Sequence, residues 1–590
     1  MHSPQEDAAL IKNPLLFYIR KQKLWFGLGL LFLFLTNLLD GLHPLLLKRG
    51  IDQITAKAPL SELLTTCIYY FLMILAIAGT RFCWRTFFGR YHTAAAEDLR
   101  NRFFNHLTKL GPSFYQKNPI GELMSLMTND VQSFRMAIGS GIIVLFDAIS
   151  ITLILLPVMI MLNPAWTWKT LIFLPLVPLL IWKVHKVIFE RYKVQQDRLS
   201  ELSGISQEIA AGIRVIKGFA QEKGQLNHYN KKSKELENTS NHVAIVDALF
   251  MPIMQFGVAS GTVILLFIAA DDILTGAATV GTLVAFQRYI NKMVWPMTAL
   301  GMGISQFQKG MASFSRIANV LKQPTDIPNQ GEELISKFTS LAVRNLSFTY
   351  AGQSAAILKD ISFEIKKGQT FGIVGPVGSG KTTLLHLLTR LYPVPENQIQ
   401  INGISIEKIE QSNLRKNLVM VPQEAFLFST SIMNNVAFGL NAQNFEATVE
   451  NIEPWTNLTD ITNEIRSLPD QFNSQLGERG VNLSGGQKQR LTIARGLIMA
   501  APVLILDDSL SAVDTKTEER IQKFVLTNSP EQTKIIVTHR LSTVRHADQI
   551  LVLNGGTVEA IGSHVELLER SPTYRKMHAI QMEKTHEVQA

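Results

Sequence analysis

Residues Gly375, Pro376, Val377, Gly378, Ser379, Gly380, Lys381 and Thr382 read GPVGSGKT and follow the apolar run FGIV. Glycines at this spacing let backbone N–H groups converge on phosphate oxygens, and a helix beginning at the end of the loop adds partial positive charge. Lys381 has the length to reach terminal phosphates, and the Thr382 hydroxyl can ligate magnesium, with Thr383 next in the same helical start. A second element is VLILDD, Val503 to Asp508. An apolar strand ending in acid puts Asp507 where it can hold a magnesium shell. A third is LSGGQ, formed by Leu483, Ser484, Gly485, Gly486 and Gln487, ahead of a stretch whose apolar residues recur at helical spacing. A hydroxyl with bare backbone amides at a helix N-terminus makes a further phosphate cradle. One nucleotide needs one cradle, so two of them point to a composite site between two domains.

These motifs need a scaffold. From about residue 339 to 580, strand-like and helix-like segments alternate, as in an α/β domain. The polar, proline-bearing stretch KQPTDIPNQGEE marks a linker over 321–338, and 581–590 reads as a tail. The preceding residues, 1–320, are different in kind.

The chain of 590 residues is 46% apolar with a formal charge of +9, and the apolar residues concentrate in the first half. Six runs are long enough for membrane helices, at about 24–47, 62–88, 138–162, 165–187, 243–270 and 277–305. The connections at 89–137 and 188–242 are long, helix-prone and rich in Lys and Arg, whereas DDILTGAATVG carries neither. That bias places both termini and both long connections in the cytoplasm, against the dissent of Lys48, Arg49 and Lys57 in a short connection. Basic residues flanking apolar runs explain the net charge without a nucleic-acid partner. Trp166 and Trp168, in NPAWTWK, are expected at a membrane interface. Two cysteines, Cys67 and Cys83, argue against a disulfide framework or a cysteine metal site. The polar start of the chain gives no expectation of a cleavable signal peptide.

The order of the motifs resembles that of ATP-binding cassette (ABC) transporters, in the exporter form with the membrane domain fused ahead of the cassette, from about residue 15 to 580. Tyr350 in SFTY, Gln423 in VPQEAFLFS, Ser511 to Asp514 in SAVD and His539 in IIVTHR extend the resemblance. It implies a membrane domain of six helices joined to an α/β P-loop ATPase domain in the cell membrane of a bacterium, with ATP and Mg2+ as cofactors. By the same resemblance Tyr350 stacks on adenine, and Gln423 senses both the metal held by Thr382 and Asp507 and the membrane domain. Ser511 and Asp514 communicate between cassettes, and His539 contacts the γ-phosphate. Two halves pair, each ATP lying between one phosphate loop and the other LSGGQ. The tips of the long connections, in SFYQKNPIGEL and SGISQEIAAGIRVIKGF, press on the cassettes near Gln423. ATP favours the closed pair and so drives the membrane helices from inward-facing to outward-facing.

In that family a glutamate follows the position of Asp507 and polarises the attacking water, but here the residue is Asp508. The two acids have nearly equal intrinsic acidity, so reach is the difference. One methylene withdraws the carboxylate by roughly 1–1.5 Å, and a misplacement of that size costs on the order of 10²-fold in rate. With LSGGQ standard, the pattern resembles the degenerate half of a heterodimeric exporter: a slow ATP site here, and a competent one completed for a partner that carries the glutamate. The alternatives are a homodimeric lipid flippase or peptide exporter, or an ATP-gated regulatory or channel subunit; the lack of a peptidase-like segment ahead of the spans weighs against peptide processing. Hydrophobic or amphipathic cargo of the multidrug type is expected. Gln287, Arg288, Asn291 and Lys292, in the sixth run, are candidates for a substrate cavity, unless their charges pair with Asp147, Asp247 or a partner subunit.

Overall fold

The computed structural model describes the chain except residues 1–3, 172–175, 328–330, 441–445, 478–479, 481, 512–514, 528–530 and 590. Its contacts divide into two compact units, residues 1–108 with 120–323 and residues 109–119 with 324–590.

The first unit is built of helices. Among the described residues, Lys23–Thr55, Leu60–Leu107 and Ile120–Leu162 are long and apolar enough to cross a membrane. The helix Leu60–Leu107 runs well past its apolar stretch, because AAAEDLRNRFF is itself rich in helix formers. The other expected spans also fall on helices. The run 243–270 lies on Glu222–Asp247 and Phe250–Leu274, and 277–305 on Val280–Leu321. The run 165–187 is shared by Pro164–Leu171 and Leu176–Ala211, around residues outside the description.

Two π-helical turns, Leu126–Asp130 and Ala137–Gly141, widen the segment Ile120–Leu162. The second is crossed closely by helix Val280–Leu321. A Cβ on Gly310 would stand 2.2 Å from the Cβ of Ala137 and 2.7 Å from the Ser133 carbonyl. Gly310→Ala is therefore expected to destabilise this unit by about 1–3 kcal/mol, read as a lower thermal unfolding midpoint of the detergent-solubilised protein.

Polar ties hold Val280–Leu321 to Lys23–Thr55. The Tyr289 hydroxyl donates to the Gly41 carbonyl at 2.9 Å, and Gly281 N donates to Asp52 Oδ1 at 3.1 Å. Lys48 pairs with Asp52 at 2.8 Å. Lys48 and Arg49 thus belong to the helix Lys23–Thr55 rather than to a loop, and the Lys48 charge is matched. Trp166 packs inside this unit. It is fully buried, its Nε1 donates to Asp272 Oδ2 at 2.6 Å, and its ring meets Phe286 edge-on, while Trp168 is exposed. A buried indole N–H needs an acceptor, and Asp272 supplies it. Near the N-terminus, the buried Arg102 guanidinium gathers Glu6, Asp7 and Asp98, tying helix Pro4–Lys12 to Leu60–Leu107.

The second unit is an α/β body on two sheets. Its strands are β1 (Ser340–Phe348), β2 (Leu358–Lys366), β3 (Thr370–Val374), β4 (Ile399–Ile401), β5 (Ile404–Ser405), β6 (Leu418–Val421), β7 (Val503–Asp507), β8 (Thr533–Val537), β9 (Gln549–Asn554) and β10 (Thr557–Gly562). One sheet has the order β2-β1-β4-β5 and pairs antiparallel. The other has the order β10-β9-β3-β8-β7-β6, parallel except for β10. Strands β3, β7 and β8 are buried at every residue. Parallel strands covered on both faces favour that, and it explains the apolar runs FGIV, VLIL and IIV within them. The shared direction also brings the segments after β3, β6, β7 and β8 to one sheet edge, where ligands of such sheets bind. Ile335 and Phe338, read from sequence as linker, are buried in the core with β1 and β2, and Ile335 N is held by Asn413 Oδ1 at 2.8 Å.

Candidate functional site

The loop after β3 is shaped by steric necessity. A Cβ on Gly375 would stand 2.0 Å from the Leu553 carbonyl oxygen, so only glycine fits against β9. Gly378 and Gly380 have φ of +80° and +96°, which side chains resist. Val377 and Pro376 form the rim, with Val377 projecting outward. Ser379 is buried beneath, and helix Lys381–Leu388 starts directly at the loop's end. Lys381 Nζ donates to the carbonyls of Gly375 and Pro376, both at 2.9 Å, and so lies folded across its own loop. Burial lowers its pKa from the ordinary lysine value, opposed by Asp508 and Asp507.

The end of β7 faces this lysine. The Thr382 hydroxyl donates to Asp507 Oδ1 at 3.4 Å. Burial pushes the Asp507 carboxyl up; the Thr382 bond opposes this, Asp508 adds to it, and Lys381 opposes it. A buried carboxylate with a second acid beside it is a place a divalent cation stabilises, and the hydroxyl is a second hard oxygen donor. The residues therefore fit magnesium. Gln423 is exposed just beyond β6.

Asp508 is itself nearly buried and has φ of +42°. Aspartate tolerates this left-handed region better than most side chains. Its N–H donates to the Val537 carbonyl at 2.8 Å, extending the β7–β8 ladder by one residue. Its Oδ1 accepts from the Thr538 hydroxyl at 3.4 Å, and its carbonyl accepts from the Ser511 hydroxyl at 2.8 Å. Asp514 lies outside the described residues. His539 follows Thr538, and burial lowers its pKa, with Lys381 adding and Asp508 opposing. Its imidazole is accordingly neutral at neutral pH.

Tyr350 stands at the other side of the loop. Its hydroxyl and Thr383 Oγ1 are 3.0 Å apart, and its ring meets Tyr392 edge-on at 5.1 Å. Tyr392 in turn accepts from Gln116 Nε2 at 2.9 Å. Helix Pro112–Lys117, the tip of the first long connection, is thus bonded to this unit beside the tyrosine pair, with Ser113 also bonded to Asp326. The tip's hydrogen bonds go to Tyr392 and Asp326.

LSGGQ makes a different arrangement. Ser484 caps helix Gly485–Leu497, its hydroxyl accepting from Gln487 N at 3.3 Å while Gln487 Oε1 accepts from Ser484 N at 2.7 Å. Gln487 Nε2 also donates to Glu464 at 2.6 Å. Ser484 and Gly485 are exposed, and Leu483 packs partly into the core below. The helix start is preorganised and faces outward, separate from the cluster of Lys381, Asp507, Asp508 and His539. Gln287, Arg288, Asn291 and Lys292 sit on Val280–Leu321 in the other unit. Arg288 and Asn291 are exposed there, and Lys292 pairs with Asp40 at 2.8 Å, with neither Asp147 nor Asp247 as its partner.

One contact escapes any motif. Gln581 Nε2 donates to the His539 carbonyl at 2.5 Å, and its Oε1 accepts from Leu541 N at 2.9 Å. Gln581 opens the stretch read as a tail. It clamps the turn that carries His539. Gln581→Ala is expected to lower ATPase turnover about 3–10-fold with ATP affinity little changed, since each bond contributes about 1 kcal/mol to holding the turn. Gln581→Glu, which keeps the acceptor for Leu541, should lose less; paired ATPase and nucleotide-binding titrations check both.

The ABC transporter transmembrane region model matches residues 26–297, and the ABC transporter model matches 358–511. The chain is 34% identical over 561 residues to the Probable multidrug resistance ABC transporter ATP-binding/permease protein YheI of Bacillus subtilis (strain 168), covering 94% of each. This chain belongs to the ABC transporter family. The transporter is also 33% identical over 515 residues to Multidrug resistance-like ATP-binding protein MdlA of Escherichia coli (strain K12), 86% of each chain. It is 31% identical over 547 residues to the ATP-dependent lipid A-core flippase of Pasteurella multocida (strain Pm70), 91% of this chain and 92% of that one. The ABC transporter therefore combines a helical membrane region with an α/β ATPase and couples ATP hydrolysis to transport.

Proposed function

We propose that this transporter is one half of a heterodimeric exporter of hydrophobic or amphipathic compounds. In this reading its membrane region crosses the cytoplasmic membrane of a bacterium six times with both termini inside. The printed names of its relatives, two multidrug and one lipid flippase, support cargo of that kind. The observation that carries the unequal-site reading is Asp508, a short acid in a site where Lys381, Thr382, Asp507 and His539 are all in place.

In this reading Tyr350 stacks on adenine and the loop 375–383 holds the phosphates. Lys381 leaves its two carbonyls for the terminal phosphates. Thr382, Asp507 and Gln423 would hold magnesium, which when bound neutralises phosphate charge. Neutral His539 donates a hydrogen bond toward the γ-phosphate, and Ser511 with Asp514 relays to the other cassette. Asp508 orients water poorly, so ATP is retained. Ser484 to Gln487 complete the partner's site.

Proteoliposomes test this. The chain alone should hydrolyse ATP at least about tenfold slower than the chain joined to a half with glutamate at the Asp508 position, and only the pair should export. The lipid A-core flippase relative favours one other reading, a homodimeric lipid flippase. Full ATPase activity and lipid flipping by the chain alone would establish that and exclude the heterodimer.

A further inference from the structure

Inside the helical unit the Asp147 carboxylate is held between neighbouring helices without a matching positive charge among the described residues. Asp147 lies on helix Ile142–Leu162 and is half-buried. Its Oδ1 accepts from Asn37 Nδ2 at 2.9 Å, and its Oδ2 accepts from Trp295 Nε1 at 2.9 Å. Asn37 Nδ2 also reaches Ser150 Oγ at 2.7 Å. Three helices fix the orientation of this carboxylate, yet among the described residues it forms no ion pair. Lys292, one turn from Trp295 on the same helix, is already matched by Asp40. Arg288 is two turns away, about 10 Å along the helix axis.

A helix tie would need only two acceptor oxygens. The net charge is surplus to that role, and ionised side chains in membrane segments are costly and mark pathways for substrates or ions. Trp295 is 47% exposed. Its N–H is engaged by Asp147, which orients the ring beside the carboxylate. An indole face is the best aromatic partner for a cation, and a carboxylate in low dielectric attracts one more strongly than in water.

We propose that Asp147 and Trp295 form the subsite for the positively charged head of a lipophilic organic cation. This rests on the export reading above and specifies one class of cargo for it. A diffuse cation that sheds water readily suits the site better than a strongly hydrated ammonium.

The test is equilibrium binding of tetraphenylphosphonium and tetraphenylborate to the full chain in neutral-lipid nanodiscs without nucleotide, after subtraction of empty discs. The two probes share shape and differ in sign. The cation should bind about tenfold or more tighter than the anion. Asp147→Asn should weaken the cation about tenfold and bring the two within about threefold, while Asp147→Glu keeps most of the preference. A wild-type protein that binds the anion equally or better overturns the proposal, whether or not the variants fold. So does an Asp147→Asn protein that keeps the preference, which is the outcome for a purely structural tie. Tetraphenylphosphonium bound as expected but never exported with ATP by the assembled transporter leaves the subsite standing and overturns the export reading alone.

Discussion

Ser484→Asp should reduce steady-state ATPase of the assembled transporter by about 10²-fold or more, whereas Asp508→Asn should change it by less than about twofold. The first substitution is chosen to spare the fold. Ser484 caps helix Gly485–Leu497, and aspartate caps as well as serine does, so the helix start survives. What changes is the charge offered to a phosphate. Exposed Ser484 and Gly485 present a hydroxyl and helix N-terminal amides outward, and a carboxylate there would repel ATP held by the proposed partner. In the proposed unequal-site reading, Asp508→Asn removes an acid that contributes few turnovers. Equal loss in both variants would exclude unequal sites.

The second large effect is a gain. In the proposed heterodimer, with the partner's corresponding glutamate neutralised, residual turnover would come from this chain's own site, and Asp508→Glu should raise it about 10²-fold. The backbone at this position is pinned on both sides, by Asp508 N–H on the Val537 carbonyl and by Ser511 on the Asp508 carbonyl. Lengthening the side chain therefore moves the carboxylate outward by roughly 1–1.5 Å without moving its origin. Glutamate tolerates φ of +42° less well than aspartate does, so a stability loss of about 1 kcal/mol should accompany the gain in rate. Single-turnover hydrolysis on the doubly altered pair measures the rate, and thermal unfolding measures the cost. No rise in rate would mean that acid length does not set turnover at this site.

How much of this could be read in advance follows the range of each interaction. The loop 375–382 was legible because its chemistry lies in consecutive residues: Gly375 must be glycine against Leu553, and Lys381 begins the helix that follows. Asp507 was legible because an apolar strand ending in acid fixes where the acid emerges. The parallel sheet turns such strand ends into one site. Contacts that depend on packing between distant segments left no trace. Nothing near Gln581 marks it as the clamp on His539, and Gln116 gives no local hint that it will bond Tyr392. Nothing near Trp166 announces that its ring is buried in the protein with its N–H on Asp272. Counting Lys48 as a loop charge failed for a related reason: a tally of charges ignores that Asp52, four residues on in the same helix, neutralises it. Lys292 likewise found Asp40, on another helix, in place of the acids expected for it.

The proposed division of labour between two ATP sites is tested most directly by loading the assembled transporter with stoichiometric ATP and following its hydrolysis by rapid quench. The expected time course is biphasic, with half of the bound ATP hydrolysed in a fast phase and the other half retained at least about tenfold longer. A single phase consuming all of the bound ATP at one rate would contradict it.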